Sequence, residues 1–381
     1  MANVLDNLAA DIYKAADVVG RELVGFIPSA TINANGSERA AKGDNVRASF
    51  TRAATAVNVA ESMTIPEGTD QTVDNKTLVI SKARAVQIPY TGEDVKHLNN
   101  GIGFETVYGD QIKQAMRTLA NEMEVDLATE AYRNASRAFG TAGTTPFGSN
   151  FSEVAELRQI LVDNGMPSND GQASMVLGTL AGTNLRQLAQ LQKANEAGGV
   201  DMLRQGTLLD LQGLMIKESA QVRSHTKGTG ASYLVNDAGH AIGQTIIATD
   251  GGTGTILAGD ILTFNGDTNK YVVNTALAGG SFAIGSPGSR IALANDAAIT
   301  VGDGYTANVA FHRTALEIAM RAPAVPDGGD TATDSMLIQD PFTGMVFEVR
   351  VYKGYRKTMI EVAASWGVKA WKPEHIAVLL G

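Results

Sequence analysis

One uninterrupted helical pattern between Phe104 and Phe139 constrains this chain more than any other feature of its sequence. Apolar residues recur there at steps of three or four and form a single line: Ile112, Met116, Leu119, Met123, Leu127 and Ala131. No proline or glycine interrupts the pattern after Gly109, and the glycine-bearing loop 140–146 follows it. A helix of about 30 residues is about 45 Å long. The sequence therefore predicts one long rod-like helix.

The segment before this helix has strand propensity but few apolar residues. Two β-rich runs, Val46–Ile65 and Thr77–Ile88, flank a loop of turn formers at 66–72. A two-stranded arm of this composition is marginally stable alone, so it needs neighbours. Its charged residues either serve solubility or meet opposite charges on neighbouring subunits. The subunit-interface candidates here are Lys42, Arg47, Arg52, Glu67, Asp70, Lys82 and Arg84.

The remaining flanks of the long helix indicate mixed α and β structure. An amphipathic stripe predicts a helix over Ala2–Phe26, ended by Pro28 and the turn-forming run Asn33–Ser37. Beyond the long helix, Ser152–Asn164 reads as a helix with Ser152 as its N-cap. A strand at Ala173–Gly178, a helix through residues 185–191 and extended structure over 208–222 follow. This alternation predicts an α+β domain.

Residues 225–310 have a different composition, with 15 glycines, 3 Lys or Arg and 6 Asp. Asn265-Gly266-Asp267-Thr268 is a tight hairpin signal. Short, evenly spaced strands favour a small β-barrel or sandwich inserted into the domain. The strands are expected at Tyr233–Val235, Ile242–Ala248, Asp260–Phe264, Tyr271–Val273 and Arg290–Leu293.

The C-terminal region returns to strand and helix. Residues 346–352 alternate apolar and polar side chains, which predicts a strand with one buried and one polar face. Pro373 precedes a last apolar run, Ile376–Leu380. Trp366 and Trp371 are the only tryptophans; core packing is their default role, and an interface anchor is the alternative.

Composition and motifs argue against several function classes. The chain has no cysteine, which removes disulfides, thiolate metal sites and cysteine nucleophiles. A net charge of −9 without a basic cluster does not suit a protein that grips nucleic acid. No signal peptide, bilayer-spanning run, H-E-x-x-H or G-x-S-x-G motif is present. Gly251–Thr255 lacks the residues of a phosphate or calcium loop and reads as a flexible hairpin tip. We expect no catalytic residues, cofactor or metal.

The order of these elements resembles the Hong Kong 97-type major capsid protein of tailed bacteriophages. The similarity is greatest to coat proteins of short-tailed Salmonella-type phages, which carry a β-barrel insertion domain. The ending Ala364–Val378, with aromatic-Gly-Val at 366–368 and basic-Pro-Glu at 372–374, resembles that branch's C-terminus. Leu119–Glu124 is similar to its spine helix, and Gly213–Lys227 and Val309–Pro323 are similar to the segments that flank its insertion.

The resemblance implies a set of domains. They are an N-terminal arm at 1–36, an extended E-loop at 37–91, a P-domain with the spine helix at 92–150, the first part of an A-domain at 151–224, a β-barrel insertion at 225–310, and a return at 311–381 that completes the A- and P-domains.

The resemblance also implies a function. Pentamers and hexamers of the chain would form an icosahedral head around double-stranded DNA, with a scaffolding protein during assembly, a portal at one vertex and room for a decoration protein. Assembly would occur in the host cytoplasm, the mature location would be the virion, and no covalent crosslink is expected. An encapsulin-like shell protein is the alternative with the same fold, and a β-rich adhesin is the alternative of another class. A hydrolase with a triad invisible in sequence is the remaining one.

Overall fold

The computed structural model of the chain describes residues 6–23, 25–51, 56–59, 61–65, 73–99, 104–192, 210–237, 239–340 and 343–381. The helices within these ranges are α1 Asp6–Glu22, α2 Gly92–Asn99, α3 Phe104–Arg133, α4 Ser152–Asp163, α5 Thr179–Gln187 and α6 Ala189–Gln192. The strands are β1 Thr31–Ala40, β2 Asn45–Thr51, β3 Val73–Val79, β4 Lys82–Thr91, β5 Arg137–Gly140, β6 Ala173–Leu177, β7 Asp210–Leu211, β8 Leu214–Glu218, β9 Ser224–His225, β10 Tyr233–Val235, β11 Ile246–Asp250, β12 Ile261–Phe264, β13 Lys270–Ala278, β14 Ser281–Ile284, β15 Ala298–Val301, β16 Tyr305–His312, β17 Leu316–Pro323, β18 Ala332–Gln339, β19 Val346–Gly354, β20 Lys357–Ala370 and β21 Ile376–Leu380.

The predicted long helix is present as α3, the 30-residue helix Phe104–Arg133. It ends six residues before the predicted Phe139 because the chain joins a sheet there. Ser136 N donates to Ile376 O at 2.9 Å, and Arg137–Gly140 pairs in parallel with β21. Tertiary pairing thus outweighs local helix propensity.

A six-stranded sheet packs against α3. Its order is β1-β17-β20-β19-β18, with β4 also paired to β20. The main hydrophobic core lies between this sheet, α1 and α3, and includes Ile12, Met116, Leu127 and Trp366. The described part of the N-terminal helix ends at Glu22 rather than at Phe26.

Strand β1 corrects one prediction. Asn33–Ser37, read as a turn from its composition, lies within β1, which pairs in parallel with β17. Its polar groups find partners on that strand: Asn33 Nδ2 donates to Glu317 Oε1 at 3.0 Å, and Arg321 donates to Asn33 O at 2.8 Å. Long-range hydrogen bonds to β17 therefore stabilise a strand in a segment whose local composition predicted a turn.

A second sheet contains two parts. One part, in the order β5-β21-β16-β6-β8-β7, is covered by α4 and α5 over a separate core that includes Leu161 and Leu185. α4 begins at Ser152 as predicted, but its N-cap is Phe151, and Ser152 Oγ donates to Asn150 Oδ1 instead. The predicted C-terminal helix is replaced by β20 and a short 3-10 turn at Pro373–His375.

The other part is a closed ring of six strands, β12-β15-β10-β11-β14-β13, in which β13 pairs back with β12. It has its own core, which includes Val235, Phe264, Tyr271 and Phe282. The hairpin predicted at 265–268 connects β12 to β13. Arg290–Leu293 forms no strand, only a bridge from Leu293 to His240, and β14 and β15 were not anticipated.

The strands that flank this barrel lie side by side. β9 pairs with the start of β16 through Tyr305 and His225, so the chain leaves and returns at one place. His225 Nε2 is 2.8 Å from Asp260 Oδ1, and both side chains are buried. Gly252 is packed rather than at a free tip, since a Cβ there would lie 2.2 Å from the Tyr233 ring. The flexibility expected at 251–255 stays a prediction.

Candidate assembly surface

The arm consists of β2, β3 and the described residues between them. Among the described residues, β2 and β3 pair only with each other, in register from Asn45↔Val79 to Thr51↔Val73. Seven residues of antiparallel strand extend about 24 Å. The predicted second strand, Thr77–Ile88, is interrupted at Ile80 and Ser81, and its later part is β4 in the main sheet. The second strand of the arm therefore ends at Val79, earlier than the sequence indicated.

The base of the arm is fixed to the body of the protein. Leu78 and Ile80 are buried with Ala40 and Ala319, and Trp371 packs against them. Gly43 N donates to Ile80 O at 2.9 Å, and Ile80 N donates to Asp44 O at 2.8 Å. Gly367 allows this approach, because a Cβ there would lie 2.0 Å from Val79 O. The arm consequently leaves the body in a defined direction.

The arm tip, defined as residues 56–59 and 61–65, has the opposite character. Its four large apolar side chains are almost completely exposed: Val57 80%, Val59 102%, Met63 107% and Ile65 92%. Single exposed apolar residues are common on protein surfaces, but a cluster of them marks an interaction surface. These residues were not singled out from the sequence, although the spacing of Val57 with Val59 and of Met63 with Ile65 carries the signal.

The structure divides the predicted interface residues. Lys42 is exposed in the turn between β1 and β2, Arg47 is exposed on β2 of the arm, and neither has an ion-pair partner in the described ranges. Lys82 and Arg84 lie on β4 rather than on the arm and pair within the chain, Lys82 Nζ with Asp126 at 2.7 Å and Arg84 Nε with Glu122 at 3.0 Å. Arg52, Glu67 and Asp70 lie outside the described residues.

The two tryptophans have internal roles. Trp366 is fully buried in the main core, and its Nε1 donates to Asp126 Oδ2 at 2.8 Å. Trp371 packs at the base of the arm, donates to Glu317, and has Lys76 Nζ 5.7 Å from its ring centroid. Both side chains therefore stabilise the region from which the arm extends.

A buried carboxylate attaches the N-terminal segment to the long helix. Glu124 of α3 is 3% exposed and accepts hydrogen bonds from Phe26 N at 2.6 Å and Ile27 N at 2.8 Å. Gly25 is needed beside it, since a Cβ there would lie 1.9 Å from Glu124 Oε1. Burial raises the pKa of the Glu124 carboxyl, and the two backbone donors and Lys217 oppose that rise.

This raised pKa gives a pH-dependent expectation. A carboxyl whose pKa is higher in the folded chain contributes most stability below its unfolded pKa and loses that contribution as the pH rises through its folded pKa. Glu124→Gln removes the titration. As the pH falls from about 7 to about 4.5, we expect the urea midpoint of the natural chain to rise relative to that of the variant. An unchanged difference between the two midpoints would show that Glu124 does not titrate in this way.

The described residues offer no metal centre. No group of three histidine, aspartate or glutamate side chains in these ranges could hold a metal ion. A cleft of about 740 Å³ lies between α4, β5 and the β12–β13 turn, but its lining includes no histidine. Arg137 and Lys270 in this cleft donate to Asn269 and Gly140 of the chain itself. None of the helices in the described ranges has the length and apolarity to cross a bilayer.

Comparison with solved structures identifies the fold. No family model and no curated protein matches the sequence. The capsid of the Cyanophage P-SCSP1u aligns with 94% of this chain and 88% of its own, at 11% identity and a TM-score of 0.50. The mature capsid of bacteriophage PhiM1 (93% and 86% covered, 8% identity, TM-score 0.48) and Mycobacterium phage Che8 (89% and 85%, 14%, 0.47) are more distant in shape. The chain has the predicted α+β capsid fold of the Hong Kong 97 type, with an all-β barrel-like sheet.

Proposed function

We propose that this chain is a major capsid protein, which self-assembles as pentamers and hexamers into the icosahedral head of a tailed phage. The arm carries the proposal: its base is fixed to the body, while its apolar tip has no cover within the described chain. A second copy of the chain would supply that cover. The capsid fold makes a closed shell the natural product of such a contact.

The finer parts of the proposal follow from the resemblance and the charge. The shell would enclose double-stranded DNA without gripping it, since the chain carries a net charge of −9. A scaffolding protein and a portal would take part in assembly in the host cytoplasm, and the barrel would be the insertion domain of the Salmonella-type branch. We propose a structural role without catalysis. Lys42 and Arg47 remain candidates for contacts between subunits.

The test is expression of the chain in bacteria, alone and with the adjacent scaffolding gene. Velocity sedimentation and negative-stain electron microscopy are expected to show closed particles, or sheets and tubes of hexamers. A chain that stays monomeric in both cases would contradict the proposal. Particles whose genes adjoin a cargo enzyme, and which contain that enzyme rather than DNA, would instead indicate an encapsulin-like shell.

A further inference from the structure

The turn between β19 and β20 concentrates positive charge on an acidic chain. Residues Lys353, Gly354, Tyr355, Arg356 and Lys357, here called the basic turn, are all exposed, and Tyr355 is 90% exposed. Gly354 pairs with Lys357, so the strands are joined by only two residues. The guanidinium of Arg356 lies 5.7 Å from the Tyr355 ring centroid. A short hairpin holds these cations in a narrow region.

Several surface cations are neutralised within the chain. Lys82, Arg84 and Arg117 each form an ion pair with a carboxylate of the same chain. Within the described residues, the three cations of the basic turn have no such partner. Three like charges close together on a two-residue turn repel one another, and an external anion would relieve that repulsion.

Carboxylates lie beside the basic turn at the same end of the sheet. Lys357 pairs with Thr91, the last residue of β4, and α2 begins at the next residue. Glu93 and Asp94 in the first turn of α2 are exposed, and Glu93 has no ion-pair partner in the described ranges. Hydrogen bonds from Thr91 N and Oγ1, both 2.8 Å, lower the pKa of Asp94 and keep it charged.

The basic turn and the acidic segment Glu93–Asp94 lie next to each other but form no ion pair within the described part of the chain, so both are available to bind opposite charges on another chain. We propose that the basic turn of one copy binds the Glu93–Asp94 segment of a second copy. The two patches differ, so the contact is heterologous, and a ring closed by rotation satisfies every turn and every acidic segment once. This inference rests on the proposed assembly and adds a second, electrostatic contact to the apolar one at the arm tip.

Charge exchange tests the contact. Lys357→Glu and Glu93→Lys are each expected to raise the lowest protein concentration at which particles form by about tenfold at low ionic strength. The double variant Glu93→Lys/Lys357→Glu restores opposite charges across the contact and is expected to assemble near the natural concentration. Lys14→Glu, an exposed site on α1, makes the same change in net charge as Lys357→Glu and serves as the matched control for that variant.

Salt provides a second readout, because exposed ion pairs are screened at high ionic strength. The differences between the single variants and the natural chain are expected to shrink there. Two results would overturn this inference while leaving the proposed function intact. In one, the natural chain forms particles and the Lys357→Glu variant forms them at the same concentration. In the other, the double variant needs as high a concentration as the single variants. A natural chain that forms no particles at any concentration would overturn the proposed function as well.

Discussion

Replacing the four apolar side chains of the arm tip with serine is expected to abolish assembly and leave the subunit folded. Val57, Val59, Met63 and Ile65 are 80% to 107% exposed, so the fold of the single chain does not depend on them. Burying one such side chain contributes about 1.5–3 kcal/mol. A loss of about 3 kcal/mol of binding free energy at each contact would already raise the lowest protein concentration at which particles form by about 100-fold.

The control for this prediction lies in the same segments. Asn58→Ala and Glu61→Ala change exposed polar residues interleaved with the four apolar ones. These variants are expected to assemble as the natural chain does. Sedimentation measures assembly, and circular dichroism confirms folding of each variant. Normal particles from the four-serine variant would show that the arm tip is not an assembly contact.

The second large effect is expected at Glu348, which should cost the subunit about 3–5 kcal/mol when replaced by alanine. Glu348 is 2% exposed and accepts hydrogen bonds from Arg39 at 2.6 and 3.1 Å and from Arg350 at 2.9 Å. Its loss leaves Arg350, which is 8% exposed, with Asp330 as its remaining carboxylate partner. Arg39 would lose the ion pair that connects β1 to β19.

Tryptophan fluorescence during urea unfolding of the unassembled subunit measures this effect. Trp366 lies in β20 and Trp371 directly follows it, so both report on the sheet that contains Glu348. Glu361→Ala is the matched control: it removes a carboxylate opposite Arg350, but one whose hydrogen bond from Gln87 is exposed. The control is expected to cost less than about 1 kcal/mol. Equal losses in the two variants would contradict a buried charge network.

Periodicity predicted the elements whose packing is local. The apolar line of α3 and the hairpin at 265–268 are present because their signals lie within a few neighbouring residues. By contrast, the partners of Asn33 and Arg39 of β1 are Glu317 on β17 and Glu348 on β19, roughly 280–310 positions away in the sequence. The alternation at 346–352 suggested a polar face, but Glu348 and Arg350 are buried because they pair with each other and with Arg39. One sequence gives no sign of such distant pairing.

The candidate site was predicted only in outline. The composition of the arm indicated a need for neighbours, and the structure does contain a two-stranded arm. Charge alone could not distinguish Lys82 and Arg84, which pair with α3, from Lys42 and Arg47, which do not. The apolar tip could not be recognised because Val46–Ile65 reads as one strand, whereas the described strand is Asn45–Thr51 and residues 56–59 and 61–65 form no strand. Exposure, which separates an interface residue from a core residue, appears only in three dimensions.

A cryo-electron microscopy map of the particles tests the central claim most directly. We predict closed shells of pentamers and hexamers in which the arm tip of each copy, residues 56–59 and 61–65, is covered by a neighbouring copy. Particles whose arm tips remain in solvent, or a chain that forms no shell even with its scaffolding protein, would contradict it.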